Sequence, residues 1–111
     1  MKYAALVFFL SVSLPAQAQD YRIKEGMPFA KARSILLAHA WRPIAVDIES
    51  ERIGVENQLV KKQIIEIESC AIDQPLCIFN YKKGAACLRV MTRGEKVKDL
   101  VIDSWSNDCP N

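Results

Sequence analysis

The chain of 111 residues is half hydrophobic and one quarter charged, with 15 Lys and Arg against 13 Asp and Glu, one His and four Cys. That length supports one domain and no more. A net charge of +2 argues against a nucleic-acid binder, which would be expected to carry a basic stripe, and gives no membrane-surface signal.

The first residues have the three regions of a secretory leader. Lys2 precedes an apolar run from Tyr3 to Val12, which is followed by the helix-breaking Pro15 and by Ala16-Gln17-Ala18 before the first acid, Asp20. Cleavage is expected after Ala18, leaving residues 19–111 as a single small α+β domain that is periplasmic or secreted. The run falls short of the roughly 20 apolar residues of a spanning helix. No membrane span is expected, and no Cys near the cleavage point would take a lipid.

Pro28 suits a first helical position. Beyond it Phe29, Ala32, Arg33, Leu36 and Ala40 recur at helical spacing, predicting an amphipathic helix from Pro28 to His39. Pro43 stops it, with Trp41 at the exit. Ile44, Val46 and Ile48 alternate with Ala45, Asp47 and Glu49, as in a short half-buried strand. Glu49 to Arg52 reads as a loop and Gly54 as a break. Val55 to Gln63 fits a short helix or a loop equally well.

Further on, Ile65 and Ile67 alternate with Glu66 and Glu68, predicting a strand that ends at Cys70. Cys77–Tyr81, Ala85–Thr92 and Val97–Trp105 are β-prone runs whose two connections each carry a Gly, predicting an antiparallel meander. The fold class is therefore α+β, with one N-terminal helix packed on a small disulfide-stapled meander. No internal repeat is visible.

Four cysteines in an exported chain imply two disulfides. A four-thiolate zinc site would need paired short spacings, and a thiol-exchange role would need C-x-x-C; neither is present. If Tyr81 lies opposite Ala85, then Phe79 faces Cys87, and Cys77 is diagonal to Cys87 at about 7–8 Å. A bridge needs Cβ atoms about 3.5–4.5 Å apart. The expected pairs are Cys70–Cys77, around Asp73-Gln74-Pro75, and Cys87–Cys109, reached by a turn at Ser106-Asn107-Asp108. They close loops of about 8 and 23 residues, worth roughly 2.5 and 3.4 kcal/mol in the chain-entropy model. The same register puts Phe79, Leu100 and Ile102 on one sheet face and Ile78, Leu88 and Val101 on the other. One helix covers one face. The other is closed by the Val55–Gln63 segment or by the tail with Trp105, or it is a docking surface.

Gly26-Met27-x-Phe29-x-x-Ala32-Arg33-x-x-Leu36, then Trp41-x-Pro43, Glu68-Ser69-Cys70, Cys77-x-Phe79 and Leu88-Arg89-Val90 together resemble a family of small exported bacterial proteins. The likeness runs from about Gly26 to Trp105. It implies an α+β fold and a Cys70–Cys77 disulfide, and it brings no activity or catalytic residue. The opening Gly-Met-x-Phe is also distantly similar to the repeat unit of periplasmic β-lactamase-inhibitor-like and outer-membrane-assembly-lipoprotein-like domains. Where the family usually has Gly before the Trp, Ala40 stands here, a residue ill suited to a left-handed helix cap.

The chemistry available to the chain is sparse. His39 is the sole histidine, and its place in the last helical turn suits a structural partner of exposed carbonyls. Glu66 and Glu68 read as a solvated strand face paired with Arg89 or Lys98. No acidic pair marks a glycosidase, no Gly-rich loop a phosphate site. Asp103 and Asp108 lack the dense ligand loop of a calcium site. Lys61-Lys62, Lys82-Lys83 and Arg93 with Lys96 and Lys98 form small basic spots, two of them at hairpin tips, where charge protects sheet edges or meets an acidic partner. The expectation is an exported, non-enzymatic protein without cofactor or metal, an inhibitor or immunity-type partner of an envelope hydrolase or toxin. Its partner surface is expected on Ile78, Leu88, Val101, Lys82, Lys83, Arg93 and Lys96. The competing expectation is an accessory factor in envelope assembly or maintenance.

Overall fold

A computed structural model of the chain describes residues 22–46 and 51–110. The leader expected at residues 1–18 lies outside the described residues, as do Asp47, Ile48 and Glu49 of the expected strand. Helix α1 spans Phe29–Ala38, with Pro28 one place earlier than expected, at the cap. Its buried stripe is Phe29, Ala32 and Leu36, the positions set by helical periodicity. Strand β1, Arg42–Pro43, follows, and α2 covers Gly54–Lys61, so most of Val55–Gln63 is helix, with Lys62 and Gln63 in its closing turn and Gly54 opening it rather than breaking the chain. Ala45 and Val46 are not strand. The extended pairing comes earlier than the Ile44–Ile48 alternation suggested, because the residue before a proline is already held extended.

Both helices leave through the same device without glycine. In α1 the amide of Trp41 donates to the Leu36 carbonyl at 3.0 Å and that of Ala40 to Leu37 at 3.3 Å. In α2 Ile64 donates to Leu59 and Gln63 to Val60, at 3.0 and 2.9 Å. These are the paired bonds of a Schellman cap. Ala40 and Gln63 take φ of 69° and 67° to make them, so the left-handed cap forms despite the missing Gly. The residue just past each cap, Trp41 or Ile64, packs in or against the core.

The remaining strands are β2 (Ile67–Cys70), β3 (Leu76–Lys83), β4 (Ala86–Arg93) and β5 (Val101–Ser106), with a 3₁₀ turn at Val97–Asp99 before β5. All pairing is antiparallel, in the order β1-β3-β4-β5. β3 has two neighbours on its other edge: β1 pairs Pro43 with Tyr81 near one end, and β2 pairs Cys70 with Cys77 near the other. The outer edge of β5 is half covered by the segment entering α1. Gly26 donates to the Ile102 carbonyl at 2.7 Å, Ile102 to Met27 at 2.8 Å and Phe29 to Leu100 at 2.8 Å. The covered stretch cannot template aggregation.

The β3–β4 register corrects the expected one. Both strands run through the lysines to a tip at Gly84-Ala85, pairing Lys83 with Ala86, Tyr81 with Leu88 and Lys82 with Cys87. The shift is odd, and an odd shift exchanges the two faces. Cys77, Phe79, Tyr81, Leu88 and Val90 therefore share the core face beneath α1, where the Phe29 and Phe79 rings stack with centroids 4.2 Å apart. Ile78, Asn80, Lys82, Cys87, Arg89 and Met91 form the outer face. Both expected disulfides are present, Cys70–Cys77 and Cys87–Cys109, and no described cysteine is free. The first joins residues directly opposite across β2 and β3, with Cα atoms 4.0 Å apart.

Candidate binding surfaces

Glu66 is the most deeply buried acid, with no exposed surface, in the turn before β2. Its Oε2 accepts from Arg33 Nε at 2.5 Å and from Tyr81 Oη at 2.7 Å, and its Oε1 from Arg33 Nη2 at 3.2 Å. Helix α1, the β2 entry and β3 thus each supply one member. Burial, and then the Glu66 charge, push the Tyr81 hydroxyl well above the ordinary tyrosine range. Hydrogen bonding to Glu66 raises the Arg33 guanidinium above its usual value. A carboxylate so enclosed and so fully bonded has no face for a substrate, and its work is to tie helix to sheet. Glu66 is therefore not the solvated partner of Arg89 or Lys98 that alternation suggested. Glu66 precedes the strand, in a turn where two-residue alternation does not apply. Glu68 does keep the expected partner: Arg89 Nη2 donates to it at 2.9 Å, and Asn80 Nδ2 at 3.0 Å.

Six residues on, the chain turns outward. The disulfide closes the loop Ala71–Leu76, in which Ile72 is 100 % exposed. Across a cleft of about 430 Å³ stands Ile53, 71 % exposed, at the N-cap of α2. The loop base is held by bonds that leave the apolar residues out. Arg52 donates to the Ile67 and Glu68 carbonyls at 3.0 and 3.3 Å and to Glu56 at 3.1 Å, and Glu56 accepts the Cys70 amide at 2.9 Å. The Gly94 amide donates to the Pro75 carbonyl at 2.9 Å. A Cβ on Gly94 would stand 2.7 Å from the Asp99 carbonyl oxygen, so only glycine fits there. The cleft is lined by Glu56, Asp73 and Glu95 and by no Lys, Arg or His.

A second cleft of about 380 Å³, between α1 and the 3₁₀ turn, has the opposite character, with Arg33, Lys62 and Lys98 around Ile64 and Leu100. A third hollow, about 270 Å³, lies on the outer sheet face between Ile78, Arg89, Met91 and Trp105.

The residues expected to form one partner surface are dispersed. Leu88 is a correction: it is fully buried in the core, because the odd register shift turns it inward. Ile78 and Val101 are half-buried. Lys82 and Lys83 sit at one end of the hairpin, with the Lys83 ammonium 6.0 Å from the Trp41 ring centre. Arg93 is opposite Leu76 at the other end, roughly 23 Å away at about 3.3 Å per strand residue. It is bound to Asp103 at 3.2 Å and Glu25 at 3.7 Å, and Lys96 lies exposed beyond it. His39 Nδ1 donates to the Ile35 carbonyl at 2.8 Å, the helix-end role expected of it. Asp103 is held by Arg93 and Asp108 by the Ser106 hydroxyl. Among the described residues no group of three metal-ligating side chains occurs, and no helix is long and apolar enough to cross a membrane. Ile53 and Ile72 were missed by sequence reasoning, although an isoleucine between two cysteines in an otherwise turn-forming stretch was a visible signal. No family model, curated protein or solved structure matches the chain.

Proposed function

We propose that this is an exported, non-enzymatic binding protein of the cell envelope, an inhibitor or immunity-type partner of a hydrolase or toxin. The observation that carries the reading is the wholly exposed Ile72 on a loop that a disulfide closes. A large apolar side chain held out in water costs solvation unless another surface receives it. Closing its loop in advance reduces the ordering entropy lost on binding. The leader read in residues 1–18 and the paired cysteines fit a compartment in which that bridge persists. The buried acid, enclosed by Arg33 and Tyr81, offers no catalytic group to set against it.

Expression with the native leader, followed by intact mass of the exported product, tests the address: the chain should begin at Gln19 with both bridges formed. Tagged exported protein should then retain one envelope hydrolase or toxin at a 1:1 ratio and depress its activity. An export product with an uncleaved leader overturns the address. Absence of a stoichiometric partner across growth conditions overturns the binding role.

A further inference from the structure

Resting on that binding role, we infer that the partner docks through the cleft between the Ala71–Leu76 loop and the N-cap of α2, and that it presents a cationic surface with an apolar hollow. Two independent features converge there. The two most exposed large aliphatic side chains among the described residues, Ile72 and Ile53, face the same cleft. Its ionisable lining is entirely acidic, Glu56, Asp73 and Glu95. Glu56 is tied to Arg52 and the Cys70 amide, so its charge is largely answered within the chain. Asp73 and Glu95 are exposed and have no ion pair among the described residues. They lie on the disulfide loop and just beyond β4 respectively, on the lining of the same cleft as the isoleucines.

An apolar anchor flanked by acids selects a partner in two ways. A cationic surface is steered to it and held at the rim, and Ile72 fills a hollow from which water is released. An acidic partner meets like charge on both sides. The other clefts do not combine these features: the basic one has no comparably exposed apolar side chain, and the outer-face hollow is lined by a cation as well as an anion, Arg89 and Asp108.

The test uses the exported chain with both disulfides and a defined probe, an N-acetylated, C-amidated hexapeptide of alternating Lys and Leu, with a Glu-Leu hexapeptide as its opposite. Amide shifts on titration with the Lys-Leu peptide should cluster at Ile53–Glu56, Ala71–Gln74 and Gly94–Glu95. The Glu-Leu peptide should bind at least tenfold more weakly. Asp73→Lys with Glu95→Lys, and separately Ile72→Ser, should each weaken the Lys-Leu peptide at least tenfold while leaving Tm in place, since all three side chains are exposed. Equal binding of the two peptides, shifts centred elsewhere, or no shifts at millimolar peptide overturns the inference. A captured hydrolase or toxin that binds the variants as tightly as wild type also overturns it, and leaves the binding role intact. Peptide binding at the cleft with no envelope partner retained does the reverse.

Discussion

Glu66 and Ile72 stand a few residues apart in the sequence, on either side of strand β2, and their environments are inverted. The polar residue is sealed in the core with three hydrogen bonds, and the apolar one is wholly in water. A buried acid departs from the ordinary partition of residue types, and Ile72 does so because Ile53 is exposed on the same cleft; the departures differ in kind. Glu66 is answered within the chain, by residues from α1 and β3, so its position is explained by the fold. Ile72 is answered by nothing among the hydrophobic core residues. An anomaly that the fold satisfies reports on stability; one that the fold leaves open is the basis of the binding role proposed above.

Variants on the two sides of β2 should therefore separate. The largest loss is expected from Glu66→Ala, which strands Arg33 and the Tyr81 hydroxyl. Removing one partner of a buried pair costs about 3–5 kcal/mol, and the partial exposure of Arg33 places this case toward the lower end. Urea unfolding measures it; a loss below about 1 kcal/mol would break the claim that the network holds helix to sheet. Next comes Cys70→Ser with Cys77→Ser, expected to cost about 2.5 kcal/mol from the chain-entropy model and to loosen the loop that presents Ile72.

Tyr81→Phe removes one of the three bonds to Glu66, at about 1–2 kcal/mol, and has a pH signature. The folded state holds the Tyr81 proton well above the ordinary range, whereas the unfolded chain releases it near pH 10. Its contribution is complete below about pH 10 and declines as pH rises from there toward the folded pKa. Stability of wild type should fall more steeply above pH 10 than that of Tyr81→Phe; parallel curves would remove Tyr81 from the account. Ala40→Gly should raise stability by about 1 kcal/mol, because alanine is strained at the positive φ that the α1 cap requires. The smallest effect is that of Ile72→Ser, within about 0.5 kcal/mol of wild type, and a clear destabilisation would show that the loop residue belongs to the fold after all.

Much of the architecture was legible because it rests on strong local signals. Proline and the spacing of Phe29, Ala32 and Leu36 marked α1, and the β-prone runs with their glycines marked the meander. Both disulfides were identified, although the pairing arithmetic behind them used the wrong register. That error has a physical source. The β-prone run ends at Tyr81, which puts Lys82 and Lys83 in the connection, whereas both are paired in the strand and the two-residue tip at Gly84-Ala85 moves every facing by an odd step. Leu88 was misplaced for this reason alone. Glu66 departs from the expected solvated face because the strand begins only at Ile67, and the turn before it does not follow the alternation. Its clue lay elsewhere: Arg33 occupies a position in the apolar stripe of α1, and a cation there demands a buried anion. The surface was harder to read because exposure depends on what packs nearby, which periodicity does not encode.

The bonds between Gly26–Phe29 and Leu100–Ile102 set an order of events. A polypeptide is synthesised from its N-terminus, yet here the segment leading into the first helix is paired with the final strand. Helix α1 can form early, but its entry has no partner, and the sheet face it covers lacks an edge, until nearly the whole chain is available. Closure of the domain is thus a late step that joins its two ends. Under the export proposed above, such a layout would keep the incomplete chain open while it is threaded through a narrow pore.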